Sequence, residues 1–179
     1  MSMFILYTLK VQTELEPELL GLNIREAITL KLEERFIGKV LKNEGVCVAI
    51  YSFEIEQTFV RELYLESELV AKIVVFKPFI GEILTGKIKE SNSEGITVSM
   101  VFIDALIPAA YLADPSGFDE QEGVFVWHFD EHDLFYDIGE TIRFKVHAFA
   151  LPFEDSASVQ LLGRANEDGL GLLQWWVTS

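Results

Sequence analysis

Cysteine is almost absent: Cys47 is the only one in 179 residues. No intrachain disulfide can form, and a zinc site built from cysteines alone is excluded. That pattern fits a reducing compartment, cytosol or nucleus, with Cys47 between Val46 and Val48 read as an inert thiol in a strand. Histidine is scarce too, at three residues, and 14 Lys+Arg face 29 Asp+Glu for a net charge of −15. No apolar run approaches the roughly 20 residues of a membrane-spanning helix, so no membrane partner is expected. The N-terminus lacks the basic region and long apolar stretch of a signal peptide.

What is present is a large apolar fraction, 50%, ample for one domain or two small ones. The charge is unevenly divided. Residues 1–80 carry nine Lys+Arg against twelve acids, whereas residues 81–179 carry five against seventeen. So acidic a second half repels polyanions at long range, and nucleic-acid binding by the chain alone is expected to be weak and salt-sensitive.

In chain order, Phe4 to Val11 is β-branched and aromatic and reads as a strand. Pro17, with Glu14, Glu16 and Glu18 around it, suits a helix first turn. Leu20, Ile24, Ile28, Leu32 and Phe36 then make one apolar stripe on a helix to about Ile37, with Gly38 as its C′ residue. Lys39 to Lys42 and Val46 to Phe53 read as strands turning at Asn43-Glu44-Gly45. Glu54 to Glu68 fits neither period, and Leu69 to Phe76 is another strand. Pro78 stops that strand and Gly81 and Gly86 mark bends, so the break is a domain junction at Phe76, Pro78, Phe79 and Gly81. Beyond it come Gly81 to Glu90, Gly95 to Phe102, a segment Asp104 to Leu112 with a helical turn, a loop at Asp114 to Gly117, and strands Val124 to Phe129 and Glu140 to Phe149. About five short strands with glycine-marked bends suggest a small closed barrel, of which the OB fold is the common five-stranded case. The fold class is therefore α+β and β-rich, with residues 1–80 as one module and 81–179 as a barrel.

Two motifs imitate chemistry. Gly81-Glu82-Ile83-Leu84-Thr85-Gly86-Lys87 resembles a phosphate-binding loop, but Ile88 stands where a magnesium-holding hydroxyl is required, and no helix starts there. His128-Phe129-Asp130-Glu131-His132 has the spacing of a zinc peptidase helix, yet the preceding residues alternate as a strand. No nucleophile is arranged with a base and an orienting acid, so catalytic residues, metal and cofactors are all expected to be none. A thin basic and aromatic set remains for binding single-stranded RNA: Lys87, Lys89, Phe102, Arg143, Lys145 and His147, of which the last three share one strand face. Trp175-Trp176 is a costly pair to expose and should pack on the barrel or into a partner.

The junction from Val75 to Ile88 resembles that of the two-domain stalk subunits of eukaryotic RNA polymerases and the archaeal E subunit, above all the polymerase III member. Glu94 to Ser99, Ile107-Pro108, Phe118-Asp119-Glu120, Val124 to Trp127 and Asp133 to Phe144 follow in register. The ending Gly169-Leu170-Gly171-Leu172-Leu173-Gln174-Trp175-Trp176 is the most discriminating match. The resemblance implies a ribonucleoprotein-like tip domain followed by an OB barrel, and no catalytic residues. It also implies a smaller helical subunit as heterodimer partner, contacts with the polymerase III core, initiation factors and emerging RNA, and a nuclear location. Two departures stand out. Arg61 to Glu66 lacks the glycine usual in the tip loop, and Leu151 to Ser158 is short where relatives carry a long polar insertion. From the residues alone, a free-standing OB-type RNA-binding protein remains an alternative, and a metallohydrolase on His128 and His132 a third.

Overall fold

The structure, a computed structural model, describes residues 4–41, 44–151 and 159–176; the chain divides into two compact units, Met1–Lys77 and Pro78–Ser179. In the first unit, β1 (Phe4–Leu15), β2 (Val40–Leu41), β3 (Gly45–Val60) and β4 (Leu65–Phe76) form an antiparallel sheet in the order β1-β4-β3-β2. Leu69, Ala71, Ile73 and Val75 alternate along β4 and are buried on one face. They share a core with Ala27, Ile28, Leu32 and Phe36 of helix α1 (Ile24–Phe36). Full burial of an aliphatic side chain such as Ile28 or Leu32 is worth about 1.5–3 kcal/mol, which is what holds the helix to the sheet.

The helix is shorter than its apolar stripe predicts. Pro17–Gly21 is a separate 3-10 turn, and α1 begins only after Asn23, whose Oδ1 accepts the Arg25 N–H at 2.9 Å. A side-chain cap offering this bond ends one element and starts another despite the continuous periodicity. Gly38 has φ +74° and donates to the Cys47 carbonyl at 2.8 Å, closing the helix as its sequence position suggests. The unreadable stretch Glu54 to Glu68 is the far end of β3, the turn Arg61 to Tyr64, and the start of β4. Within this stretch the register shift at Ile55/Gln57 and the turn itself break the two-residue period, which explains why no pattern is visible there. The predicted turn at Asn43 and the segment Pro152 to Ser158 lie outside the described residues.

The second unit contains β5 (Ile83–Asn92), β6 (Gly95–Ser99), β7 (Asp104–Pro108), β8 (Ser116–Asp119), β9 (Val124–Phe129), β10 (His132–Phe135), β11 (Thr141–Ala150), β12 (Gln160–Arg164) and β13 (Gly171–Leu172). Strands β12-β7-β6-β5-β11 close on themselves through β11–β12 pairing, giving a five-stranded barrel of the OB type. Leu84, Ile88, Ile96, Val98, Ile107, Ile142, Phe144, Val146 and Leu161 point inward and are buried. Two glycines are required for close packing: a Cβ on Gly86 would meet Val98 Cγ1 at 2.6 Å, and one on Gly163 the Phe144 ring at 2.5 Å.

Val124 to Phe129 is not a barrel strand but the centre of a separate sheet, β10-β9-β8, inserted between the third and fourth barrel strands. Ser116 and Gly117, expected in a loop, belong to its edge strand β8. Trp175 packs tilted against Trp127 and edge-on against Tyr136, with ring centroids 5.4 and 4.8 Å away, tying its own segment to this sheet. Gly171 makes room for it: with φ +99°, a Cβ there would lie 2.7 Å from the Trp175 ring.

All three tryptophans (127, 175 and 176) lie in this unit, so their fluorescence reports its unfolding. Gly171→Ala should destabilise it by about 2 kcal/mol or more through overpacking and backbone strain. Gly117→Ala, whose Cβ meets nothing closer than 3.9 Å, should stay within about 0.5 kcal/mol of the parent. Burial pushes the Tyr136 phenol up to about 12, against the Ala113 N–H that it accepts. Because its folded pKa is raised, the stability tied to the neutral phenol is complete below pH 10 and is lost as pH rises from 10 towards 12. Denaturant unfolding of Tyr136→Phe should lack the part of the alkaline decline due to this group, and equal declines in both proteins would refute that origin.

Candidate nucleic-acid interface

The barrel's outer face is set by β11. Ile142, Phe144 and Val146 point into the core, so Arg143, Lys145 and His147 point out. Register places Thr85 opposite Arg143 and Lys87 opposite Thr141 on β5, so Lys87 joins Arg143 and Lys145 on one surface. Lys89 sits within the register shift between Ile88 and Glu90 and has no partner of its own in the β5–β6 register. Phe102 sits half-buried in the turn between β6 and β7.

Most of these groups are already engaged. Lys145 Nζ is ion-paired and hydrogen-bonded to Glu167 Oε2, and Arg164 Nη2 binds the other oxygen of that carboxylate at 2.8 Å. The Lys145 hydrogen bond holds the Glu167 carboxyl below the usual carboxylate range, with Arg164 adding to the effect and burial opposing it. Lys89 Nζ binds Asp104 Oδ2 at 2.8 Å, and that hydrogen bond raises the lysine. Arg143 Nη1 donates to the Gly169 carbonyl at 3.3 Å. His147 Nε2 is 3.1 Å from Tyr111 Oη, with the rings 4.6 Å apart. Asp104, Tyr111 and Glu167 are thus partners that sequence reading missed. Alternation shows which face a lysine takes, but not which distant acid folds back onto it.

The junction residues are placed as follows. Phe76 ends β4 fully buried, its ring 5.8 Å from Phe4. Pro78 opens the second unit, Phe79 donates its N–H to Glu82 Oε2 at 3.2 Å, and Gly81, at φ +88°, donates to the Val146 carbonyl at 2.8 Å. At the other end Trp176 is 42% exposed while its Nε1 donates to the Leu170 carbonyl at 2.9 Å. Each imitation motif spans a turn and strand residues, not a helix. Thr85-Gly86-Lys87 is mid-strand in β5, and His128 and His132 lie on β9 and β10. Their register pairs His128 with Asp133 and His132 with Phe129, which puts the two imidazoles on opposite faces of the hairpin. His128 Nδ1 instead binds Asp133 Oδ1 at 2.6 Å.

Residues 82–158 match the model of the family described as RNA polymerase III subunit Rpc25. Residues 13–73 match the SHS2 domain found in the N terminus of Rpb7p/Rpc25p/MJ0397. The DNA-directed RNA polymerase III subunit RPC8 of Bos taurus is 33% identical over 99% of this chain and 100% of its own length. That of Saccharomyces cerevisiae is 29% identical over 97% and 100%. The DNA-directed RNA polymerase subunit Rpo7 of Sulfolobus acidocaldarius is 25% identical over 69% and 70%. Both units are covered, and the end-to-end likeness to polymerase III relatives extends across the inserted sheet and the terminal tryptophans. The chain belongs to the RNA polymerase III subunit family of Rpc25 and RPC8.

Proposed function

We propose that this protein is the two-domain stalk subunit of RNA polymerase III, joined to a smaller helical subunit in the nucleus, supporting initiation and touching emerging RNA. The observation that carries the reading is full-length similarity to relatives named as polymerase III subunits. It is an accessory subunit, working by contact rather than by chemistry of its own. Its first unit ends in a long hairpin whose turn is held by Arg61 Nε on Glu66 Oε2 at 2.7 Å. Val60 and Leu63 there are 82% and 77% exposed. Large apolar side chains displayed at a turn suit docking on a protein surface, and the polymerase core is the proposed acceptor. RNA is a secondary contact, because the β11 face that would meet it is largely neutralised by Glu167 and the unit carries net −12.

Depleting the protein from its own cells should reduce polymerase III transcripts and spare those of the other polymerases. Restoration by the parent chain but not by Val60→Asp/Leu63→Asp would support tip docking; unchanged polymerase III output on depletion would overturn the assignment. For RNA, Glu167→Gln frees both Lys145 and Arg164 and should raise the affinity of the isolated chain several-fold at low salt. Arg143→Glu/Lys145→Glu should lower it by a similar factor. If neither titration moves, the β11 face is not an RNA surface.

A further inference from the structure

Three features that the fold does not require coincide at one place on the barrel. The first is a free cation. In the second unit Lys89, Lys145 and Arg164 are spent on carboxylates and Arg143 on a carbonyl. Lys87 is exposed, and among the described residues its ammonium has no ion-pair or hydrogen-bond partner. The second is a row of hydroxyls around it. Lys87 of β5 pairs with Thr141 of β11 on one side and Ser99 of β6 on the other, so the three side chains line up across three strands. Thr85 follows two residues away on the same face.

The third feature is a strained residue beside that row. Met100 donates to the Ile103 carbonyl at 2.9 Å, leaving Val101 and Phe102 as a two-residue hairpin turn. Val101 has φ +78°, the backbone that such a turn normally gives to glycine. A β-branched residue there costs on the order of 1–3 kcal/mol. Its side chain is 100% exposed, so no burial within the chain offsets the cost. Strain that persists without a structural return is the pattern found at ligand clamps. Thr85, Gly86, Lys87, Ser99, Met100, Val101 and Thr141 together line a hollow of about 370 Å³.

We propose that this hollow is a single-nucleotide subsite for RNA. A phosphodiester lies against the Lys87 ammonium and the Thr141 and Ser99 hydroxyls, while the adjoining base or ribose rests on the exposed Val101. An ammonium flanked by hydroxyls suits an oxoanion, and the apolar wall suits the flat face that every nucleotide carries next to its phosphate. The subsite rests on the RNA-contact reading above and shifts its centre from Lys145 to Lys87.

The test is titration of the full chain with a labelled single-stranded RNA at several salt concentrations, alongside thermal unfolding. Lys87→Ala should weaken binding about tenfold and reduce the salt slope by about one. Val101→Gly should raise the melting temperature, because the turn gains its preferred residue, and yet weaken RNA binding about threefold. Adenosine monophosphate should compete better than inorganic phosphate. If the parent chain binds no RNA at low salt, the RNA reading and the subsite both fall. If it binds and both variants bind equally well, the subsite alone falls. Equal competition by inorganic phosphate would reduce the hollow to an oxoanion site and overturn the nucleotide assignment. Unchanged RNA affinity with poorer recovery of the polymerase would make it a protein contact, which also overturns the proposal.

Discussion

Closure of the barrel through β11 is the constraint on which the second unit depends. This strand is bonded to β5, to β12 and, through Ile142 and Arg143, to β13. Its inward residues Ile142, Phe144 and Val146 fill the core, so a slip of one residue would bury Arg143 and Lys145 and expose that core. The cost of such a slip locks the register. Because β11 is locked, Lys87 is held beside Thr141 and the β13 end is held where Gly171 admits Trp175. The face proposed to meet RNA is thus a by-product of core packing.

Electrostatics then decides what that surface can do. Seventeen acids against five cations in the second half would leave most carboxylates unpaired in any fold. Those near a cation fold back onto it, as Glu167 does onto Lys145 and Arg164, and Asp104 onto Lys89. Exposed pairs of this kind stabilise by about 0–1 kcal/mol, but each removes a cation from a phosphate. A barrel with this balance is poorly made to seize RNA from solution and well suited to hold it weakly when a large assembly supplies the proximity. That is the division of labour proposed for a subunit of a polymerase.

Much of this was legible in the residues. The alternation Ile142-Arg143-Phe144-Lys145-Val146-His147 specified both faces of β11, the helix end at Gly38 was marked by its glycine, and Val124 to Phe129 coincided with β9. The placement of β9 was not legible, because a short apolar strand looks the same in a barrel as in an inserted sheet. The far end of β3 was hidden by the register shift at Ile55/Gln57, and the break before α1 by an apolar stripe that runs through it. The candidate site divided along the same line. Faces follow from local alternation, whereas the partnership of Lys145 with Glu167 and the backbone strain at Val101 arise only in three dimensions.

The most direct measurement is the composition of the complex recovered through an affinity tag on this chain from its own cells. The account predicts the polymerase III core and one smaller subunit in equal stoichiometry with the tagged protein, retained at salt concentrations that strip RNA. Recovery of the chain as a free species, or with RNA but without polymerase subunits, would contradict it.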